Sequence, residues 1–327
     1  VIDIVKEFND RKVLVVSALG GITNLLDEMS TQASKGENNY KDKLHILENR
    51  HLDLIEFFIP VTRQSEIISF LKSQINELEE VLESLFTLNE LTSKSLAKIL
   101  SFGEILSSTI IYSVLKHKEC DIELKDSRQI IFTKTVNDRE VVDHNKSEKK
   151  TKAFLNKNNS KNILVPGFIA QDEDGNTTTL GRGGSDFTAS LLANYSNADQ
   201  LEIWTDVSGM FTAHPKLVSQ AIPISNLSYH EAMELSHFGA KVIYPPTLQP
   251  LIDKNIPIII KNTFNKKAKG TLINADGSSI QDGSTVKGIS HIEDVALISL
   301  EGSGMIGIPG FTKRFFECLS NNQINII

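Results

Sequence analysis

Four short runs rich in Val and Ile alternate with long stretches of helical apolar spacing. They are residues 12–18 (KVLVVSA), 162–168 (NILVPGF), 201–205 (LEIWT) and 256–260 (IPIII). Apolar runs of this length, bounded by turn residues, read as strands buried on both faces. Strands and helices in alternation predict a mainly parallel α/β sheet with helices covering both sides. Helical spacing fills 44–117 in three or four segments, broken near Pro60 and Leu91. It returns after Ser228, where Ser228-x-x-Glu231 forms a capping box.

A Gly/Ser/Asp-rich linker at 274–285 marks a shift. Beyond it, 295–300 reads as strand, 312–319 as helix and 324–327 as strand, the start of a βαβ domain too short to fold alone. Helical spacing begins at Val1 with no cap before it, and the last strand-like residues simply stop. Both ends therefore read as cut from something longer.

The 34 basic and 41 acidic side chains give a net charge of −7. The lysine-rich stretch 146–152 has no interleaved aromatics and reads as a solvated helix face, so no nucleic-acid partner is expected. Cys120 and Cys318 lie far apart and read as reduced thiols of a cytoplasmic protein. No apolar run approaches the ~20 residues of a membrane span, so no membrane partner is expected either.

The run Gly181-Arg182-Gly183-Gly184-Ser185-Asp186 opens a helical stretch. Glycines admit close backbone approach, and a helix start offers unpaired N–H groups to an anion. Arg182 adds a planar fork suited to a carboxylate or phosphate. A tight turn with a Ser cap and a dipole-complementing Asp186 is the alternative. No Gly-Lys-Ser/Thr follows, so this is not a Walker A loop.

In open α/β sheets ligands bind beyond the carboxyl ends of the strands. Ser17 to Thr23 (SALGGIT) and Thr205 to Phe211 (TDVSGMF) follow strands, and each could instead be an ordinary turn. Lys241, in FGAK, could reach a phosphate as a point charge or sit on the surface. Glu104, in SFGE, is either a surface break in an apolar helix or a buried acid awaiting a cation. His230 and His237 lack metal-ligand spacing, and no protein metal site is expected.

In order along the chain, VVSALGGITNLL (15–26), SFGE (101–104), GRGGSD (181–186), EIWTDVSGMFTAHPK (202–216) and FGAKVIYPPT (238–247) resemble the aspartokinases of the amino-acid-kinase family. IIIKNTFN (258–265) and VKGIS (286–290) make the chain similar in particular to the kinase half of bifunctional aspartokinase–homoserine dehydrogenases. The resemblance implies a three-layer αβα sandwich over 1–275 and an incomplete ACT-type domain over 286–327. It also implies ATP-dependent phosphorylation of the aspartate β-carboxylate, with Mg²⁺ arriving on ATP, as the entry step to lysine, threonine and methionine.

By the same resemblance Arg182 pairs with a substrate carboxylate and Glu104 with its ammonium, while Thr23, Gly183, Gly184 and Ser185 add hydrogen bonds. Ser17, Thr205, Asp206, Phe211, Lys216 and Lys241 line the nucleotide. Lys241 neutralises the transferred phosphoryl, and Asp186 orients the lysines. An end-product amino acid is the expected effector at the ACT region, and a homo-oligomer the expected assembly. The family's Lys-Phe-Gly-Gly motif, with a catalytic lysine, is absent, because the chain begins downstream of it. Phe211, His214 and Lys216 stand where relatives often carry Tyr, Asp and Arg. A glutamate-type kinase and an inactive amino-acid-sensing module are the alternative readings.

Overall fold

The structure, a computed structural model, describes residues 2–7, 10–136, 139–158, 161–239, 242–277, 286–293, 295–300, 310–322, 324 and 326. It divides into a unit spanning Val1–His291 and a smaller one spanning Ile292–Ile327.

The large unit opens with the short helix α1 (Ile2–Glu7) and strand β1 (Val13–Val16). A glycine turn, with Gly21 at φ 79°, leads into α2 (Ile22–Ser34). Three long helices follow: α3 (Tyr40–Phe58), α4 (Gln64–Leu88) and α5 (Ser93–His117). The breaks fall where the sequence predicts them. Pro60 starts a 3₁₀ turn after α3, and Asn89 ends α4 in the left-handed region. Thr92 caps α5 by accepting from the Ser95 N–H, with Ser95 reaching back to the Thr92 N–H. Leu71, Ile75, Leu78, Leu82 and Leu85 of α4 recur at three- and four-residue intervals and are buried with Leu26 of α2, Leu47 of α3 and Leu106 of α5. Each such side chain contributes about 1.5–3 kcal/mol by leaving water.

By length and a mean hydropathy of 1.3, α5 could cross a membrane, a feature the run-by-run reading of the sequence missed. Its apolar side chains instead fill the cores beside α2, α3, α4 and the first sheet.

That sheet is parallel, in the order β1–β5–β2, with β2 at Ile122–Leu124 and β5 at Asn162–Pro166. Between them lie the exposed hairpin β3 (Thr133–Val136) and β4 (Arg139–Val142), then α6 (His144–Lys157). A small antiparallel pair, β6 (Ile169–Gln171) and β7 (Thr177–Thr179), precedes α7 (Gly184–Ser196). The second sheet runs β8–β10–β11–β9, with β8 (Leu201–Thr205), β9 (Asn226–Ser228), β10 (Ile258–Asn262) and β11 (Thr271–Asn274). Only β10 and β11 pair antiparallel. Helices α8 (Tyr229–His237) and α9 (Gln249–Ile252) pack on it, and α8 opens on the expected Ser228/Glu231 capping box.

The expected mainly parallel central sheet with covering helices is present, and its hydrogen-bonded ladders fall into two sets, with β1 and β8 as edges among the described residues. Helix α7 packs against both: Ala193 joins the core under β8 and β10, while Leu191, Leu192 and Tyr195 join the core under β1 and β5.

In the smaller unit, helix α10 (Phe311–Asn321) covers the predicted helix. The strand expected at 295–300 is not formed, and Leu297 there is 97% exposed. A strand exists only through its ladder, and no partner for this segment is among the described residues. Of the last expected strand, Ile324 and Ile326 are described without regular structure and the rest lies outside the described residues.

Candidate active site

The carboxyl end of β1 is the anchor. Its turn, Ser17 to Gly21, is fixed from two helices: Arg50 of α3 donates to the Gly20 carbonyl at 2.8 Å, and Ser107 of α5 donates to the Ser17 carbonyl at 2.8 Å. One turn before Ser107 stands Glu104. The carboxylate is buried, with the residue 3% exposed, and Oε1 accepts from the Ala18 N–H at 3.2 Å. Oε2 is shut off from water with no partner among the described residues. Burial pushes this acid up to about 7 from 4.5, against the pull of the Ala18 N–H. The two readings of Glu104 are thereby decided: it is a buried acid with an unsatisfied oxygen. Ordinary packing leaves few such groups.

From β1 the contacts pass to β5. Gly167 follows Pro166 and donates its N–H to the Val16 carbonyl at 2.8 Å. A Cβ on Gly167 would stand 2.7 Å from the Cα of Ser185, so only glycine lets this turn meet the Gly181 to Asp186 loop. The next residue, Phe168, has φ 67°, unusual for a bulky side chain. Thr188 of α7 holds it, accepting from the Phe168 N–H at 3.0 Å and donating to the Gly184 carbonyl at 2.8 Å. At Gly184 a Cβ would come within 2.6 Å of the Phe168 ring. The sequence reading missed this Gly167-Phe168 turn, although Pro166-Gly167 at a strand end was its signal.

The loop therefore sits on a backbone-to-backbone scaffold. Gly183 precedes α7 in the left-handed region, with no side-chain cap, so the Ser-cap alternative does not hold. Tyr244, from the motif read only for its lysine, lies against Gly183. Arg182 is exposed and makes no ion pair or hydrogen bond among the described residues. Asp186 is drawn in further, and burial raises it to about 6. Ser185 and Thr23 are half-buried. Lys241 lies outside the described residues.

A second cluster stands at the carboxyl end of β8. Thr205, opposite Asn262 of β10, donates to Asp206 at 3.2 Å and accepts on its carbonyl from the Thr263 N–H at 2.8 Å. Asn262 donates to the Ser208 hydroxyl at 2.9 Å, and Thr271 of β11 accepts from the Met210 N–H at 2.8 Å. Phe211 forms an isolated bridge with Pro223. Lys216 is exposed, its N–H directed to the His214 ring at 3.3 Å. The structure thus gathers Ser17, Glu104, Gly183, Gly184, Ser185 and Asp186 around β1 and β5. Thr205 and Asp206 stand at the end of β8 on the neighbouring sheet, and Phe211 and Lys216 lie along the segment that follows, Phe211 against Pro223 and Lys216 beside His214.

The sequence model of the amino acid kinase family matches residues 1–262. This chain belongs to the amino acid kinase family. Within it, the chain groups with the aspartokinases: it is 30% identical to lysine-sensitive aspartokinase 3 of Escherichia coli over 99% of this chain and 70% of that protein. It is 32% identical to the chloroplastic bifunctional aspartokinase/homoserine dehydrogenase 1 of Arabidopsis thaliana, again over 99% of this chain. The chain spans 36% of the length of that relative, about a third of the bifunctional protein. An ACT-domain model matches residues 298–327.

Among solved structures, E. coli aspartokinase III in complex with aspartate and ADP superimposes with a TM-score of 0.82 at 27% identity, covering 99% of this chain and 71% of that one. The same enzyme with lysine and aspartate gives 0.78. The fold is therefore that of the aspartokinases, a kinase domain followed by ACT-type sequence.

Proposed function

We propose that this chain carries the site that phosphorylates the β-carboxylate of L-aspartate with ATP, giving 4-phospho-L-aspartate and ADP. The observation that carries the reading is Glu104. A buried carboxylate with one unsatisfied oxygen, beside a glycine-built loop carrying an unpaired arginine, suits a small zwitterion. The substrate ammonium meets Glu104, and its carboxylate meets the Arg182 fork. Thr23, Ser185 and the amides of Gly183 and Gly184 complete the contacts.

The attacking group needs no general base, because an aspartate side chain is ionised at neutral pH. One carboxylate oxygen forms the new O–P bond as the β,γ-bridging O–P bond breaks, and ADP leaves. Catalysis is then a matter of positioning and charge stabilisation. Thr205, Asp206, Phe211 and Lys216 hold the nucleotide at the end of β8, and Ser17 lies near its phosphates. Lys241 balances charge on the transferred phosphoryl, and Asp186, mostly ionised at pH 7, orients it.

Among the described residues no three His, Cys, Asp or Glu side chains gather into a metal cage. Mg²⁺ would enter on the nucleotide phosphates, where it would screen their charge. In the same reading 1–275 is the kinase domain and 286–327 part of an ACT-type domain that takes an end-product amino acid and pairs copies of the chain. Lysine is bound in the solved T-state relative, which supports that class of effector. The free thiols of Cys120 and Cys318 support a cytoplasmic setting.

The test is ADP release by the intact protein with aspartate or glutamate, together with hydroxylamine trapping of the acyl phosphate. Turnover and trapped product with aspartate alone are expected. Equal turnover with glutamate would reassign the substrate, and no turnover with either would leave a sensing module.

A further inference from the structure

A cavity of about 920 Å³ opens on the side of the kinase domain formed by the start of α4, one face of α5 and the end of β2. Its size is at the upper end of small-ligand pockets, about 300–1,000 Å³. It uses a different face of α5 from the one that carries Glu104 and Ser107. None of the residues that line it belongs to the two clusters described above.

The lining has two characters. Ile67, Phe70, Ile105 and Leu124 give it an apolar wall, while Arg63 and Lys116 stand at its rim. Neither cation has a carboxylate within ion-pair distance among the described residues, although Lys116 lies 5.9 Å from the Tyr112 ring centre. A third cation, Arg128, is spent on Asp126 at 2.6 Å. Of the remaining acids only Glu66 lines the cavity, so its unpaired charge is positive in a chain whose net charge is −7. His117, at the far end, has a ring nitrogen, Nδ1, that is buried without a partner. Unmatched cations above an apolar wall suit a ligand with an acid group on an apolar body.

We propose that this cavity is a second binding site, taking a small organic anion with an apolar or aromatic body. It backs directly onto the first site, since Ile105 follows Glu104 and Pro166, also in the lining, precedes Gly167.

Anilinonaphthalene sulfonate, an aromatic body with one sulfonate, is the probe, titrated into the intact protein by fluorescence. Saturable binding is expected, undisturbed by ATP plus aspartate and competed by phenylacetate better than by inorganic phosphate. The double variant Arg63→Ala/Lys116→Ala should weaken it at least about tenfold, through loss of charge-assisted contacts. Ser113→Trp, which fills the cavity without touching its charge, should abolish it. Circular dichroism and basal aspartate-dependent turnover should stay unchanged in both. Unaltered dye affinity in the two variants would overturn the proposal. So would displacement by ATP or aspartate, which assigns the dye to the first site. Sedimentation showing dimers that Ser113→Trp dissociates would also overturn it, by giving the cavity to a second copy of the chain.

Discussion

The cluster around Glu104 and the cluster at the end of β8 differ in how deeply they are enclosed. Around Glu104, glycines let segments close to contact distance, Gly167 on Ser185 and Gly184 on Phe168, and side chains from the helices pin the β1 turn, among them Glu104 on the Ala18 N–H. At the end of β8, side chains hold the loop, through Asn262 to Ser208 and Thr271 to Met210, and Asp206 stays exposed. On the proposed reading, the difference suits what each side would recognise. A small amino acid offers few contacts, so each must be dehydrated and fixed in place. A nucleotide offers many, and an open edge suffices.

The sharpest break in this comparison is Glu104→Gln. Losing a charge-assisted contact in a buried site should lower kcat/KM for aspartate by about 10²- to 10³-fold, with KM for ATP nearly unchanged. The proton adds a second reading of the same residue. In the unliganded protein Glu104 holds its proton up to about 7, against an ordinary 4.5. Folding stability should therefore fall as pH rises between those values, by on the order of 3 kcal/mol at most, and the Gln variant should lack that slope in denaturant titrations. If the aspartate ammonium meets Glu104 as proposed, it needs the ionised form, so KM for aspartate should rise about tenfold per pH unit below about 7. A flat KM profile from pH 5.5 to 8 would separate Glu104 from the substrate.

Next comes Gly167→Val. A Cβ 2.7 Å from the Ser185 backbone must push the loop aside, and a shift of about 1 Å costs about 100-fold in kcat/KM. The loss should fall on aspartate more than on ATP. Arg182→Ala should raise KM for aspartate about 10-fold and lower kcat, leaving the melting temperature alone because the side chain has no partner to lose. Smallest is Asn262→Ala, about threefold on KM for ATP with aspartate untouched. If Asn262→Ala moved aspartate instead, the two clusters would not be functionally distinct.

The strands at 13–16, 162–166 and 201–205, and the long helices, were legible because their apolar periodicity is local. Hairpin β3–β4 was not, since its exposed Thr, Lys, Arg and Glu carry no apolar alternation. Nor were β9 and β11, which are three and four residues long and exist only through distant pairing. The division into two sheets is likewise a fact of pairing, which no run of residues displays by itself. Within the site, the acid in SFGE stood out as a break in the pattern, but only tertiary packing decides whether such an acid is buried. The left-handed Phe168 was beyond reach, because nothing in a phenylalanine announces a positive φ.

Helix α7 has a further consequence, for how the molecule comes apart. Its side chains are divided between two cores, and its first turn is the glycine loop itself. Neither sheet can melt without stripping the helix that the other relies on. Heating should give the large unit one calorimetric transition rather than two. Loss of the loop's geometry should coincide with that transition instead of preceding it, so residual activity and the folded fraction should fall along one curve.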